Sequence, residues 1–286
     1  MKNLVLPLIL VIVIFACQTT KQESEATTGV PTLKLKWKTD TLLTTCESVI
    51  FDESNGILYV ANINGDPSGK DGNGFISKLD LDGKITNLKW VTGMDAPKGM
   101  GINMGKLYVS DIDRVHEIDI ASGNIINTYK AEGAKFLNDI AISADGKVFV
   151  SDSGTGQVLL LENGKISLWT SQPNPNGLLV ENDKLLIALW DAKTLNSINL
   201  ESKELTQMTD SIDNPDGIEA VGDGGYFVSS WNGMVHYISP DGRNTMVLDT
   251  RPDSVSAADI EYIPSKKLLF VPTFFKNRVD AYEVSN

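Results

Sequence analysis

The chain has 286 residues, 42% hydrophobic and 22% charged, with 24 Gly, 11 Pro and only 2 Cys; this excludes a disordered chain and a disulfide scaffold. With 25 basic against 37 acidic residues the net charge is −12, so no nucleic-acid partner is expected, since phosphate backbones need clustered Lys and Arg. The length suits a single all-β domain.

At the N-terminus, Lys2 precedes an apolar run from Leu4 to Phe15. The run is too short to span a bilayer comfortably and has the length of a signal-peptide core. It ends in Ile14-Phe15-Ala16-Cys17, which resembles a bacterial lipobox, where a small residue precedes a cysteine that is lipidated and begins the mature chain. An ordinary secretory signal with an incidental cysteine is the alternative. Residues 1–16 are therefore predicted to be a lipoprotein signal peptide, Cys17 the lipidation site, and the polar residues 17–30 a flexible tether. Such a chain is held at a membrane by its acyl chains, in the bacterial cell envelope and outside the cytoplasm. With Cys17 acylated, Cys46 is the one thiol left, and no intramolecular disulfide is expected.

From residue 31 onward one pattern recurs six times: a polar entry, an apolar strand, a turn and a second apolar strand. The segments are CESVIFDESNGILYVAN from Cys46, PKGMGINMGKLYVSD from Pro97, LNDIAISADGKVFVSD from Leu137, PNGLLVENDKLLIAL from Pro175, PDGIEAVGDGGYFVSS from Pro215 and AADIEYIPSKKLLFVPT from Ala257. The residues taken to open the first strands are Glu47, Lys98, Asn138, Asn176, Asp216 and Ala258, spaced by 51, 40, 38, 40 and 42. A four-stranded propeller blade repeats at ~40–45 residues. Weak alternation within the strands fits blades packed on both faces, and Asp-Gly, Ser-Gly and Asn-Gly turns lead into third and fourth strands. The sixth repeat ends with three strands, and TLKLKWKT (Thr32 to Thr39) is the expected fourth. Residues 31–286 are thus predicted to form one all-β, six-bladed propeller, its last blade closed by an N-terminal strand that leaves no open edge.

Residues opening the first strands of a propeller converge near one mouth of its channel. Four of the six here, Glu47, Asn138, Asn176 and Asp216, carry oxygen donors, a set suited to a hard divalent cation such as Ca²⁺. The absence of His and Cys from the ring disfavours zinc, and His116 and His236 fall in third strands, away from any Ser-His-Asp arrangement. Turn chemistry alone accounts for Asn176-Gly177 and Asp216-Gly217, though not for Glu47. Trp190, Trp231, Phe274 and Phe275 emerge at the same mouth, as an apolar substrate-binding rim or as packing between blades. The glycine-rich stretch 65–74 lacks the terminal acidic ligand of an EF-hand and is expected to be a flexible loop over the mouth.

At these residues the chain resembles the family of senescence marker protein, gluconolactonase and luciferin-regenerating enzyme, whose architecture diisopropyl fluorophosphatase and the paraoxonases share. The resemblance covers nearly the whole mature chain and is carried by Cys46–Asp52, Asn138–Asp152, Asn176–Leu178 and Asp216–Ile218. By position, Glu47, Asn176 and Asp216 match the family's metal ligands, and Asn138 the residue that contacts metal or substrate. The resemblance implies an axial cation acting as Lewis acid on a lactone or ester carbonyl, with Asp216 as base or nucleophile.

Two departures bear on that implication. Where sugar-lactonases of the family carry an Arg two residues before the Asn, this chain has Phe136 beside Lys135, so a grip on polyhydroxy substrates is absent. The second is Lys98, since an ammonium about 6 Å from a divalent ion would cost on the order of 5 kcal/mol at an effective dielectric near 20. Lys98 either points away and snorkels, or joins Glu47 and Asp216 in a cluster that replaces the metal, or binds a substrate anion with a catalytic role. A surface-loop lysine is the fourth placement. Two functions stay open: a calcium-dependent lactonase or esterase-like hydrolase, or a non-catalytic extracytoplasmic propeller binding a small molecule or protein through the same mouth. A monomer is expected in either case.

Overall fold

The computed structural model describes residue 1 and residues 29–285. The predicted signal peptide, Cys17 and most of the tether lie outside the described residues. Among the described residues, no helix is long and apolar enough to cross a membrane.

The first strand, β1, spans Thr32–Lys38. Blade 1 follows with β2 (Cys46–Asp52), β3 (Ile57–Asn62), β4 (Gly74–Leu79) and β5 (Ile85–Met94); blade 2 with β6 (Pro97–Asn103), β7 (Lys106–Asp111), β8 (Arg114–Asp119) and β9 (Asn124–Lys130). Blade 3 comprises β10 (Leu137–Ile142), β11 (Val148–Asp152), β12 (Gln157–Glu162) and β13 (Lys165–Ser171), and blade 4 β14 (Pro175–Glu181), β15 (Lys184–Leu189), β16 (Thr194–Asn199) and β17 (Leu205–Thr209). Blade 5 holds β18 (Pro215–Ala220), β19 (Tyr226–Ser230), β20 (Met234–Ile238) and β21 (Asn244–Asp249). The last blade contains β22 (Glu261–Ile263), β23 (Leu268–Pro272) and β24 (Val279–Ser285), and β1 is its outer strand. β1 runs antiparallel to β24 from Thr32↔Ser285 to Lys38↔Asp280. The protein is a six-bladed β-propeller with the closure its sequence predicts.

The core lies between blades. Phe149 and Val158 of blade 3 pack on Leu178, Leu185 and Ile187 of blade 4, and Trp169 meets Phe149 edge-on at 5.0 Å. Tyr59 and Ile76 of blade 1 pack likewise on Met100 and Val109 of blade 2. Middle strands such as β11 and β20 are buried along their whole length, and outer strands such as β1 and β9 are mostly exposed. Contact on both faces is why alternation is weak in the inner strands.

The inner strands are irregular where they matter most. Pro97, Pro175 and Pro215 open β6, β14 and β18, positions that tolerate the missing N–H. Lys98, Asn176 and Asp216 are therefore second in their strands rather than first, as are Glu47 and Asn138. Around each of the five the register slips, between Cys46/Ser48, Pro97/Met100, Leu137/Ile140, Pro175/Leu178 and Pro215/Ile218. Such bulges re-aim a side chain out of the ladder. Asn176-Gly177 and Asp216-Gly217 thus sit within bulged strands and not in tight turns, and turn chemistry does not account for them. Their glycines let neighbouring strands touch: a Cβ on Gly177 would lie 1.8 Å from the Asp216 carbonyl oxygen. Gly177→Ala is expected to cost about 3 kcal/mol, the upper part of the overpacking range, measured as a lower urea midpoint.

Candidate functional site

The bulges bring Glu47, Lys98, Asn138, Asn176 and Asp216 to the wall of one cavity of ≈ 360 Å³ at the channel mouth. All five are buried. Ala258, the sixth member of the expected ring, is not in this wall; it packs with Ile63, Ala96 and Phe274. Its strand, β22, begins only at Glu261, because the preceding backbone crosses to blade 1, where Asp259 N–H donates to the Glu47 carbonyl at 3.0 Å.

Hydrogen bonding orients the two amides. Asn176 Nδ2 donates to the Pro215 carbonyl at 3.3 Å. Asn138 Nδ2 donates to Ser153 Oγ at 3.4 Å, and Ser153 in turn donates to the Pro175 carbonyl at 2.6 Å. With their nitrogens committed, the amides keep their oxygens free. Asn176 Oδ1 is fully buried with no partner, and so is Glu47 Oε2. A buried oxygen without a donor costs free energy, and here two such atoms belong to one cavity wall.

Charge compounds the imbalance. Burial pushes the Glu47 carboxyl well above the usual range, reinforced by Asp216. Burial and Asp139 push Asp216 up to about 8. Among the described residues no three His, Cys, Asp or Glu side chains gather as metal ligands. A cation here would instead draw on two carboxylates and two amide oxygens, Glu47, Asp216, Asn138 and Asn176, a mixture that hard divalent ions accept. The orphaned oxygens and the paired negative charges fit such an ion.

Lys98 corrects two of its expected placements. It is 1% exposed and lines the cavity, so it is not a surface-loop lysine. Its Nζ donates to the Ala96 carbonyl at 3.0 Å and lies 4.4 Å from the centroid of the Phe136 ring. Among the described residues no ion pair joins it to Glu47 or Asp216, so the carboxylate–ammonium cluster that would replace a metal is not formed. Burial pushes the Lys98 amine down to about 8, against the pull of Glu47 and Asp111.

The loops behind this lysine are pinned by carboxylates. Asp111 Oδ1 accepts Ala96 N–H at 2.7 Å, and its Oδ2 meets His116 Nε2 at 3.1 Å. Asp152 Oδ1 likewise accepts Phe136 N–H at 2.9 Å. His116 is thereby a structural brace, and neither histidine lines the cavity.

Trp190, Trp231, Phe274 and Phe275 all reach the wall, as the sequence places them. Trp231 packs edge-on against Phe274 at 4.4 Å, and Phe275 is 69% exposed at the rim. Pro67 of the glycine-rich stretch also lines the cavity, and Lys70 in that loop pairs with Asp113. Ile63, Ser153 and Asn174 are wall residues that sequence reasoning missed. Ile63 and Ser153 directly follow second strands, the register position of Trp190 and Trp231, and that position was the available signal. Cys46 is buried with its thiol pushed up to about 12 by burial, which leaves it unreactive.

Later residues of the inner strands, with Asp259 just ahead of β22, line a second cavity of ≈ 190 Å³ along the axis, with Asp139, Glu219 and Glu261 also in its wall. Burial raises all four, Asp139 to about 7 and Glu261 to about 8.

No family model and no curated protein matches the chain. Solved structures do. A gluconolactonase from Xanthomonas campestris superposes with a TM-score of 0.70 at 14% identity, over 85% of this chain and 86% of its own. A catalytically inactive virginiamycin B lyase from Staphylococcus aureus, solved with quinupristin, gives 0.63 at 14% identity, over 89% of this chain and 99% of its own. A streptogramin B lyase gives 0.66 at 12% identity, over 89% and 98%. At such identities the likeness establishes the propeller fold that the three share with this chain.

Proposed function

We propose that the mouth cavity holds a divalent cation, Ca²⁺ in the first instance, and hydrolyses a lactone or ester. The carrying observation is the pair of buried, partnerless oxygens, Glu47 Oε2 and Asn176 Oδ1, in one wall with Asp216 and Asn138. A bound cation would supply Lewis acidity toward a carbonyl oxygen. The chain's own residues supply the rest. Asp216, buried in the wall, takes a proton from water as the base. Asn138, held by Ser153, offers its amide oxygen to cation or substrate. The apolar wall of Trp190, Trp231 and Phe274 receives the substrate body and excludes water. Lipidation at Cys17 would place this site in the cell envelope.

The gluconolactonase neighbour supports this reading by architecture. The lyase neighbour was made inactive by replacing a histidine, and in this chain neither histidine lines the cavity, so lyase chemistry relying on a histidine finds no residue. The second reading, a propeller that binds a ligand without turnover, is favoured by Phe136 and Lys98 standing in the wall. Calcium titration by calorimetry, followed by a panel of lactones and aryl esters, decides between them. Saturable calcium binding with calcium-dependent turnover is expected; calcium binding without turnover selects the silent binder, and neither binding nor turnover overturns the metal site as well.

A further inference from the structure

We infer that the mouth cavity recognises a ligand with an apolar or aromatic body and a single carboxylate, and that Lys98 receives the carboxylate. The inference rests on the same cavity being the ligand site and specifies what that site accepts.

It starts from the donors of a buried ammonium. A lysine carries three N–H donors. Lys98 spends one on the Ala96 carbonyl and lays its charge against the face of Phe136. It has no carboxylate partner within ion-pair distance, although it is 1% exposed. Buried charges are ordinarily paired, because leaving water unpaired costs several kcal/mol. An aromatic face compensates only part of that cost. Two donors therefore remain for a ligand, on a residue that lines the cavity.

The rest of the wall restricts what carries the anion. Trp190, Trp231, Phe274, Phe136 and Ile63 present carbon surface. Ser153 already donates to the Pro175 carbonyl, and Phe136 brings no donor of its own. Hydroxyls of a polyhydroxylated ligand that fall against this carbon surface would lack partners, a loss such a surface penalises. An aromatic or alkyl body fills the same space at no such cost. Within the proposed hydrolysis this gives Lys98 a defined part. Water adds to the acyl carbon, the acyl C–O bond breaks, and the products are an alcohol, a proton and the carboxylate that Lys98 would hold.

Binding of three probes to the full chain tests this, followed by quenching of Trp190 and Trp231 fluorescence and by calorimetry: 4-phenylbutyrate, its neutral amide, and gluconate. Each is titrated in EDTA and again in calcium. In EDTA, 4-phenylbutyrate is expected to bind about 10- to 100-fold more tightly than the amide, the range of a charge-assisted hydrogen bond, and more tightly than gluconate. Lys98→Met should abolish the preference for the acid, so that acid and amide bind alike. Equal affinity for acid and amide on the unmodified chain overturns the inference, and this comparison needs no variant to fold. A preference that appears only with calcium overturns it too, since the carboxylate is then on the cation; so does a preference that survives Lys98→Met. None of these readouts requires turnover, so failure of the hydrolase reading and failure of the Lys98 subsite are separate results.

Discussion

Asp216→Asn is expected to lower calcium-dependent turnover roughly 10³-fold, within the range for losing a positioned general base. Glu47→Gln is expected to weaken calcium binding at least about 100-fold, because even partners that only orient a ligand cost 10- to 100-fold. Both changes keep side-chain shape and remove one buried negative charge. In EDTA neither variant should unfold more easily than the parent. Each carboxyl is held above its usual range by burial, and Glu47 further by Asp216, so ionising them opposes folding. Binding or turnover lost while metal-free stability holds or rises is the signature of a site residue. A structural role would lower both together. Undiminished turnover in Asp216→Asn would remove Asp216 from the chemistry, and undiminished calcium affinity in Glu47→Gln would remove the cation from this cavity.

Blade number and closure are legible in the chain because a blade is a local unit. Each repeat brings its own strands and turns, and TLKLKWKT has no partner until β24 supplies one. The ring residues are legible for the same reason, since a fixed place in the repeat becomes a fixed place around the axis. What local sequence does not carry is where an inner strand bulges. Bulging depends on how closely two neighbouring strands approach, as at Gly177 against Asp216, and that contact spans a whole repeat. Asn-Gly and Asp-Gly pairs consequently read as turns although they lie inside β14 and β18. The direction of Lys98 was equally out of reach. It is set by the Ala96 carbonyl and the Phe136 ring, which Asp111 and Asp152 hold in place from two different blades. Ala258 fails as a ring member because its N–H stays with the Pro272 carbonyl of its own blade while the next residue, Asp259, pairs with the first blade, a contact between opposite ends of the chain.

The second axial cavity makes the most unusual claim on stability. Glu261 accepts the Phe51 N–H at 3.1 Å. Asp139, Glu219 and Asp259 line the same cavity, and none of the four makes an ion pair with a lysine or arginine among the described residues. Burial pushes Glu261 up to about 8, and burial with Glu261 and Asp139 pushes Glu219 well above the ordinary range. A carboxyl that binds its proton more tightly folded than unfolded makes the native state the more protonated one. Stability is then fully present below the unfolded value and falls as pH climbs toward the folded value. The window runs from about pH 4.3 to about 8, opposite to the usual behaviour of salt-bridged carboxylates. Glu261→Gln should therefore leave stability unchanged at pH 4 and raise it at pH 8. An ionisation penalty of ~2 kcal/mol, well under what the Glu261 displacement implies in isolation, corresponds to a Tm higher by roughly 4–8 °C in a domain of this size. Scanning calorimetry of the parent and the variant in EDTA at the two pH values reads this directly. Calcium affinity should not move, because Glu261 lines the other cavity. A Tm difference between Glu261→Gln and the parent that does not grow from pH 4 to pH 8 would mean that Glu261 ionises at no cost, and the channel would then have to be wet enough to solvate it.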